Sequence, residues 1–364
     1  MSAVAATADA LSSLVEDALR RRLSAGIASA EAYGPDFLRL WQLTAETALG
    51  GKLVRPRLLL DAFDAFHGEA APTPSTAHAA IELAATVELL HYGFLLHDDV
   101  LDGDIVRRGR PNLIGALAER PSSSTIGIPE ADARHWGRTG AVLMGDLLLT
   151  SSVMGFARAD VPSDMRLRLL DLLESVILET VVGEHTDVGF SDGVITPELP
   201  RILAMTTRKT AAYSFELPLR AAAILADASP ESEAAIAAIG RHLGLAYQLQ
   251  DDLLSAFGDA DTHGKDPHSD LREGKETAII AYARMTSVWP SIELRFGTAD
   301  LSAADAAGIR DRLRECGAEA FVENLVAEEL ADARQLLTAP DAALPRALRD
   351  VLLALAARID GRRS

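Results

Sequence analysis

Basic residues, cysteine and aromatic side chains are all scarce in this chain. Thirty-five Lys and Arg stand against 53 Asp and Glu over 364 residues, a formal net charge of −18. That balance excludes a general nucleic-acid binder, which needs a basic face to meet the phosphate backbone. The single cysteine, Cys316, rules out an internal disulfide and a thiolate metal cluster. A reducing, cytoplasmic setting follows as the expectation. Long uncharged apolar runs are missing too. The most apolar stretch, from Ala79 to Leu101, carries Glu82, Glu88, His91, His97, Asp98 and Asp99, each expensive to place in lipid, so no membrane span is expected. The first residues lack the basic start and unbroken apolar segment of a signal peptide and read as a helix. What the chain has in quantity is hydrophobic residues, 48% of the total, enough to bury a large core and to exclude disorder.

Ala, Leu, Glu and Arg dominate, and apolar residues recur at three- and four-residue spacing in segments such as RLRLLDLLESVILETVVG. This is the pattern of an all-α protein. Helix breaks are expected at Gly50-Gly51, at 71–75, 120–132, 161–164, 191–200, 228–232 and 258–270, leaving roughly ten or more helices. No Gly/Ser or Pro-rich linker divides the chain. One domain over 1–364 is expected, with the motif-bearing part at about 45–285 and packing helices at 300–364.

The most informative string is HDDVLDGDIVRRGRPN, residues 97–112. On a helix Asp98 and Asp102 share a face one turn apart, where their carboxylates can hold a hard cation, while Asp99 points elsewhere. Carboxylates crowded at the negative end of a helix are unfavourable without cations. A second pair, Asp251 and Asp252, ends another apolar helical run, followed by a glycine-punctuated stretch with Lys265, Arg272 and Lys275. Two acidic helix ends, each trailed by basic residues, point to Mg²⁺ bridging a phosphorylated ligand. Lys52, Arg55 and Arg57 after a Gly-Gly break, and Arg107 and Arg108 after the first aspartates, exceed what one diphosphate needs. Two phosphorylated substrates are therefore expected.

Several of these strings, in this order, resemble the isoprenyl diphosphate synthases, also called polyprenyl synthetases or trans-prenyltransferases. GGKLVRP, ELLHYGFLLHDDVLDGDIVRRGRP, GDLLL at 145–149, RKTAAYSFE at 208–216, YQLQDDLLSAFGD and GKDPHSDLREGKET are similar to that family's motifs over about residues 45–280. The resemblance implies the type I isoprenoid synthase fold, a bundle of mostly antiparallel helices around a central cavity, and a homodimer. It implies condensation of isopentenyl diphosphate with an allylic diphosphate. It assigns Asp98, Asp102 and Asp251 to three Mg²⁺ ions, and Arg107, Lys209, Lys265 and Lys275 to the allylic diphosphate. Lys52, Arg55, His91 and Arg108 would hold isopentenyl diphosphate, with Thr210 and Gln248 lining the allylic site. His97 reads as a structural residue more than as a base.

Two departures from that pattern stand out. Ser255 replaces the last aspartate of the second motif, and Glu184 replaces a common glutamine. Asp251, Ser255 and Asp259, at i, i+4 and i+8, resemble the metal triad of class I terpene cyclases, the rival reading. A cyclase binds one diphosphate and has no use for Lys52, Arg55 and Arg108. A non-catalytic subunit of the same fold would have shed its aspartates or its basic residues, and both are here. Product length is expected to depend on Leu90, Gly93 and Phe94, which precede Asp98 by eight, five and four residues. With Gly93 leaving out an aromatic ring, and with Met154 and Phe156 opposite, a C20 product is expected, C15 or C25 and longer being the alternatives. Residues 120–137 read as a loop of undefined role, and those after about 290 as packing helices.

Overall fold

The computed structural model describes residues 3–68, 71–107, 109–119, 128–258, 269–298, 300–340 and 342–362, with the backbone alone for 3–10 and 269. Among them the α-helices are α1 (Ala3–Ala30), α2 (Pro35–Ala48), α3 (Val54–His67), α4 (Pro74–Asp102), α5 (Leu113–Glu119), α6 (Glu130–Ala157), α7 (Ser163–Ser191), α8 (Leu199–Thr206), α9 (Leu217–Leu225) and α10 (Pro230–Phe257). They continue with α11 (Ser269–Glu273), α12 (Ala278–Arg284), α13 (Ala303–Glu315), α14 (Ala318–Thr338) and α15 (Arg346–Asp360). The all-α expectation holds, with one short addition. After α4 the chain forms a hairpin of β1 (Val106–Arg107) and β2 (Arg110–Pro111).

Local chemistry sets the helix ends. Thr73 precedes Pro74 and its hydroxyl accepts from Thr76 N at 3.2 Å. Ser229 before Pro230 does the same for Ser232 N at 3.2 Å, and Ser302 for Asp305 N at 3.1 Å. Each cap satisfies an amide that the helix leaves orphaned and contributes about 1 kcal/mol. Gly103 ends α4 in the left-handed region at φ 75°, where a side chain would be strained. The loop expected over 120–137 is shorter than that: 130–137 forms the first two turns of α6, and 120–127 lie outside the described residues.

The contacts group the chain into two compact units, Met1–Asp171 with Ile224–Ala226, and Leu172–Ala223 with Asp227–Ser364; the boundary falls within α7. In the first unit α4 packs against α1, α3 and α6, and α5 packs against α6 and α2. Leu83, Leu90 and Leu96 of α4 and Met144 and Leu148 of α6 are fully enclosed, each worth about 1.5–3 kcal/mol of burial. In the second unit α10 packs against α14 and against the segment between α8 and α9, and α15 packs on α14.

Helices α4 and α6 are each long and apolar enough to cross a membrane by length and composition. The apolar window of α4 is 72% buried within the protein, that of α6 only 39%. Helix α4 is thus a core helix, whereas part of α6's apolar surface faces outward.

Candidate active site

Helix α4 carries Leu90, His91, Phe94, Asp98 and Asp102, with the aspartates in its last two turns. The hairpin that follows turns Arg107 back onto them. Its Nη2 donates to Asp98 Oδ2 at 3.0 Å and its Nε to Asp99 Oδ1 at 2.8 Å, with a further bond from Nη2 to Asp99. Gly109, at φ 71°, makes the hairpin turn possible. Asn112 clips the hairpin in place: its Nδ2 donates to Asp104 O at 2.9 Å and its Oδ1 accepts from Gly115 N at 3.0 Å.

This arrangement corrects one expectation. Asp99 does not point away from the acidic cluster; it is buried and is the main seat of Arg107. Arg107, expected on the allylic diphosphate, is paired in this structure with Asp98 and Asp99. Burial lifts the Asp99 carboxyl to about 6, with Arg107 pulling it down and Asp98 and Asp104 adding to the rise. Burial also opposes the charge on Arg107, but Asp99 and Asp98 more than offset it and hold the guanidinium firmly protonated. Tyr92, whose hydroxyl bonds to Thr47, has its phenol pushed well above the usual value by burial.

His97 has a structural seat. Its Nε2 lies 3.2 Å from Asp146 Oδ1, and a Cβ on Gly145 would stand 2.5 Å from that nitrogen. The Gly-Asp pair opening GDLLL therefore makes room for the imidazole and then anchors it. Among the remaining residues of the first unit, Lys52 is exposed before α3 and Arg55 half-buried on its first turn. Leu53 between them sits in the left-handed region at φ 49°, a strained conformation for a branched side chain. Helix α3 packs on α4, where His91 is half-buried. Arg108 lies outside the described residues.

The residues assigned to product length are enclosed to different degrees: Leu90 and Gly93 are buried, Phe94 half-buried. Gly93 does not leave open space of its own. A Cβ there would meet Leu149 Cδ2 at 3.3 Å, and Gly145 O and Leu148 Cβ at 3.4 Å, so Gly93 sets how closely α6 approaches α4. Met154 is 40% exposed, whereas Phe156 is fully buried.

In the second unit a ten-residue π-helical segment, Thr207–Glu216, carries Lys209 and Thr210. Wide helical turns of this kind cluster at functional sites because they re-aim side chains. Lys209 Nζ donates to Glu184 Oε1 at 3.1 Å and to Asp187 Oδ2 at 2.7 Å, both on α7. Glu184 thus adds a carboxylate to this cation where the related pattern has a neutral amide. A Cβ on Gly183 would stand 2.7 Å from Lys209 Cα and closer still to its backbone nitrogen, so the absence of a side chain lets α7 touch the segment.

On α10, Gln248 Nε2 donates to Asp252 Oδ1 at 2.8 Å. The carboxyl of Asp252 is enclosed although the residue as a whole is half-buried. Burial holds it well above the usual range, Gln248 opposing and Asp270, Asp251 and Asp187 adding to the rise. Ser255 donates to Asp270 Oδ2 at 2.5 Å, so the carboxylate absent from position 255 is supplied from α11. Asp251 is paired with Arg362 at 2.9 Å. That arginine follows α15, in a region expected only to pack. Lys275 pairs with Glu273 at 3.2 Å. Asp259 and Lys265 lie outside the described residues, and Arg272 is half-buried on α11.

Among the described residues no three His, Cys, Asp or Glu side chains converge on one point. That fits Mg²⁺, which keeps its waters and takes one or two protein carboxylates together with phosphate oxygens. Asp98, Asp102 and Asp251 are hard oxygen donors of the right kind. Asp98 and Asp251 are each paired with a guanidinium, those of Arg107 and Arg362.

The sequence profile described as polyprenyl synthetase matches residues 40–290. The chain belongs to the polyprenyl synthetase family. The enzyme is a transferase that lengthens prenyl diphosphate chains. A geranylgeranyl diphosphate synthase of Methanosarcina mazei is 28% identical over 79% of this chain and 79% of its own length. A (2E,6E)-farnesyl diphosphate synthase of Mycobacterium tuberculosis is 32% identical over 64% of this chain and 56% of its own; the match therefore spans little more than half of that relative. The crystal structure of a Corynebacterium glutamicum geranylgeranyl pyrophosphate synthase, complexed with isoprenyl diphosphate and magnesium, superposes with a TM-score of 0.87 at 27% identity. That superposition covers 97% of this chain and 99% of the other.

Proposed function

We propose that the enzyme condenses isopentenyl diphosphate with an allylic diphosphate, head to tail, to make linear all-trans geranylgeranyl diphosphate. The observation that carries this reading is the pairing of Asp98 with Arg107 and of Asp251 with Arg362 in a chain of this family: two acidic helix faces built to hold cations. Asp98, Asp102 and Asp251 hold Mg²⁺, three ions per site. When bound, Mg²⁺ supplies positive charge at the departing diphosphate. Arg107, Lys209, Lys265 and Lys275 contact the same diphosphate, and Lys52, Arg55, His91 and Arg108 hold isopentenyl diphosphate. Thr210 and Gln248 lie beside the allylic carbon. Before the diphosphate binds, Arg107 holds Asp98 and Asp99 in place.

The allylic C1–O bond breaks with its electron pair leaving on the diphosphate, the isopentenyl double bond attacks C1, and the proton lost from the new unit passes to the diphosphate. The apolar residues of α4 before Asp98 exclude water that would capture the cation. Phe94 and Leu90 form the floor under the growing chain, and Gly93 sets its width through the approach of α6. The rival cyclase reading is not favoured. Ser255 is engaged by Asp270, and the relatives named above are synthases. Sizing the dephosphorylated products from dimethylallyl, geranyl and farnesyl primers tests the product: one linear C20 alcohol from all three is expected, and a C15 or a C25 and longer product would refute the proposed floor.

We also place the enzyme in the cytoplasm as a homodimer. Trp136, Leu143, Leu147 and Met154 lie along one face of α6 and are 40–53% exposed, a stripe that an isolated soluble chain rarely shows. Sedimentation of the purified chain as a dimer, and of Leu143→Glu as a monomer, is expected; a monomeric parent would refute it.

A further inference from the structure

Arg362 is held at three points along one face of α10. Its Nη2 donates to Asp251 Oδ1 at 2.9 Å, its backbone carbonyl accepts from Gln250 Nε2 at 2.9 Å, and its Cζ lies 4.6 Å from the Tyr247 ring centre. Residues 247, 250 and 251 are neighbours on a helix surface, so backbone, stacking and charge all converge on one arginine. Few exposed ion pairs are fixed this way. The other terminal nitrogen, Nη1, is buried with no hydrogen-bond partner among the described residues. A buried, unpaired guanidinium N–H is unfavourable, and an anion brought beside it would satisfy it.

We propose that Arg362 is the resident counter-ion of Asp251, exchanged when a divalent cation takes that carboxylate, and that its buried Nη1 then faces the anion bound there. The inference rests on the assignment of Asp251 as a metal-holding residue. Arg362 is a positioning residue in this account. It keeps the carboxylate aimed before the ligands arrive, and it competes with the cation for the same oxygen.

Competition of this kind is read without turnover. Mn²⁺ titrated into the full chain without diphosphate, followed by electron paramagnetic resonance, is expected to bind about fivefold tighter to Arg362→Gln than to the parent, the size of an ordinary exposed ion pair. Arg362→Lys keeps the competing charge and is expected to bind Mn²⁺ as weakly as the parent. With substrate present, KM for the allylic diphosphate rises in both variants while kcat changes little, because the anion contact needs the fork of the guanidinium. Circular dichroism and melting curves matching the parent show that the variants are folded. Unchanged Mn²⁺ affinity and unchanged KM in Arg362→Gln would overturn the proposal and leave Asp251 as a ligand. Asp251→Asn with full Mn²⁺ stoichiometry and full activity would instead refute the assignment on which it rests.

Discussion

Asp98→Asn and Asp251→Asn each lower kcat/KM by about a thousandfold or more, about 4 kcal/mol of transition-state stabilisation. An amide is nearly the size of a carboxylate but carries no charge, so the loss measures the cation-holding role rather than packing. The two variants keep most of their stability, for different reasons. In Asp98→Asn the Arg107 guanidinium retains Asp99, its closer partner. In Asp251→Asn the lost pair involves a carboxylate that is 45% exposed, and such pairs contribute about 0–1 kcal/mol. Asp99→Asn behaves the other way. It leaves a half-buried guanidinium with half its charge partners and destabilises the fold by less than the about 3–5 kcal/mol that breaking a fully buried pair costs. Steady-state kinetics with denaturant melts separate the two effects. Activity within tenfold of the parent in either Asp98→Asn or Asp251→Asn would contradict the assignment.

Gly183→Ala and Gly308→Ala move stability in opposite directions. The Cβ added at 183 meets the backbone of Lys209, which cannot swing aside as a side chain can; overpacking of this kind costs about 1–3 kcal/mol. It also shifts the π-helical segment that aims Lys209 at Glu184 and Asp187, so kcat falls at least tenfold. Gly308 lies within α13 with nothing within 4 Å of an added Cβ, and alanine there stabilises by about 0.5–1 kcal/mol through the unfolded state. Urea midpoints of the two variants check this. A Gly183→Ala enzyme with parental midpoint and rate would show that the close approach of α7 is not needed.

The parts of the molecule set by local chemistry were legible in the sequence. Thr73-Pro74 and Ser229-Pro230 announce helix starts because cap and proline act within four residues, and Asp98 and Asp102 share a face by helical geometry alone. Contacts between distant residues were not. Arg362 reaches Asp251 across 111 residues and Ser255 reaches Asp270 across 15, and no spacing rule connects such positions. The hairpin that folds Arg107 onto Asp98 and Asp99 is two residues per strand, too short for any periodicity. The π-helical segment carries no propensity signal of its own. Its one visible clue is small residues facing it, Gly183 and Gly244, the latter 2.5 Å from Ala211 Cβ if given a side chain. Gly93 shows in the sequence only as a missing side chain; that Leu148 and Leu149 of α6 come up against it does not.

The central claim is prenyl elongation on a cation-held diphosphate, and the stoichiometry of isopentenyl diphosphate consumption tests it most directly. Purified protein given labelled isopentenyl diphosphate and an allylic diphosphate with Mg²⁺ is expected to consume one isopentenyl unit for each five-carbon increment in the product, and none after chelation. Consumption of the allylic diphosphate without isopentenyl diphosphate, giving a cyclic hydrocarbon, would contradict the account.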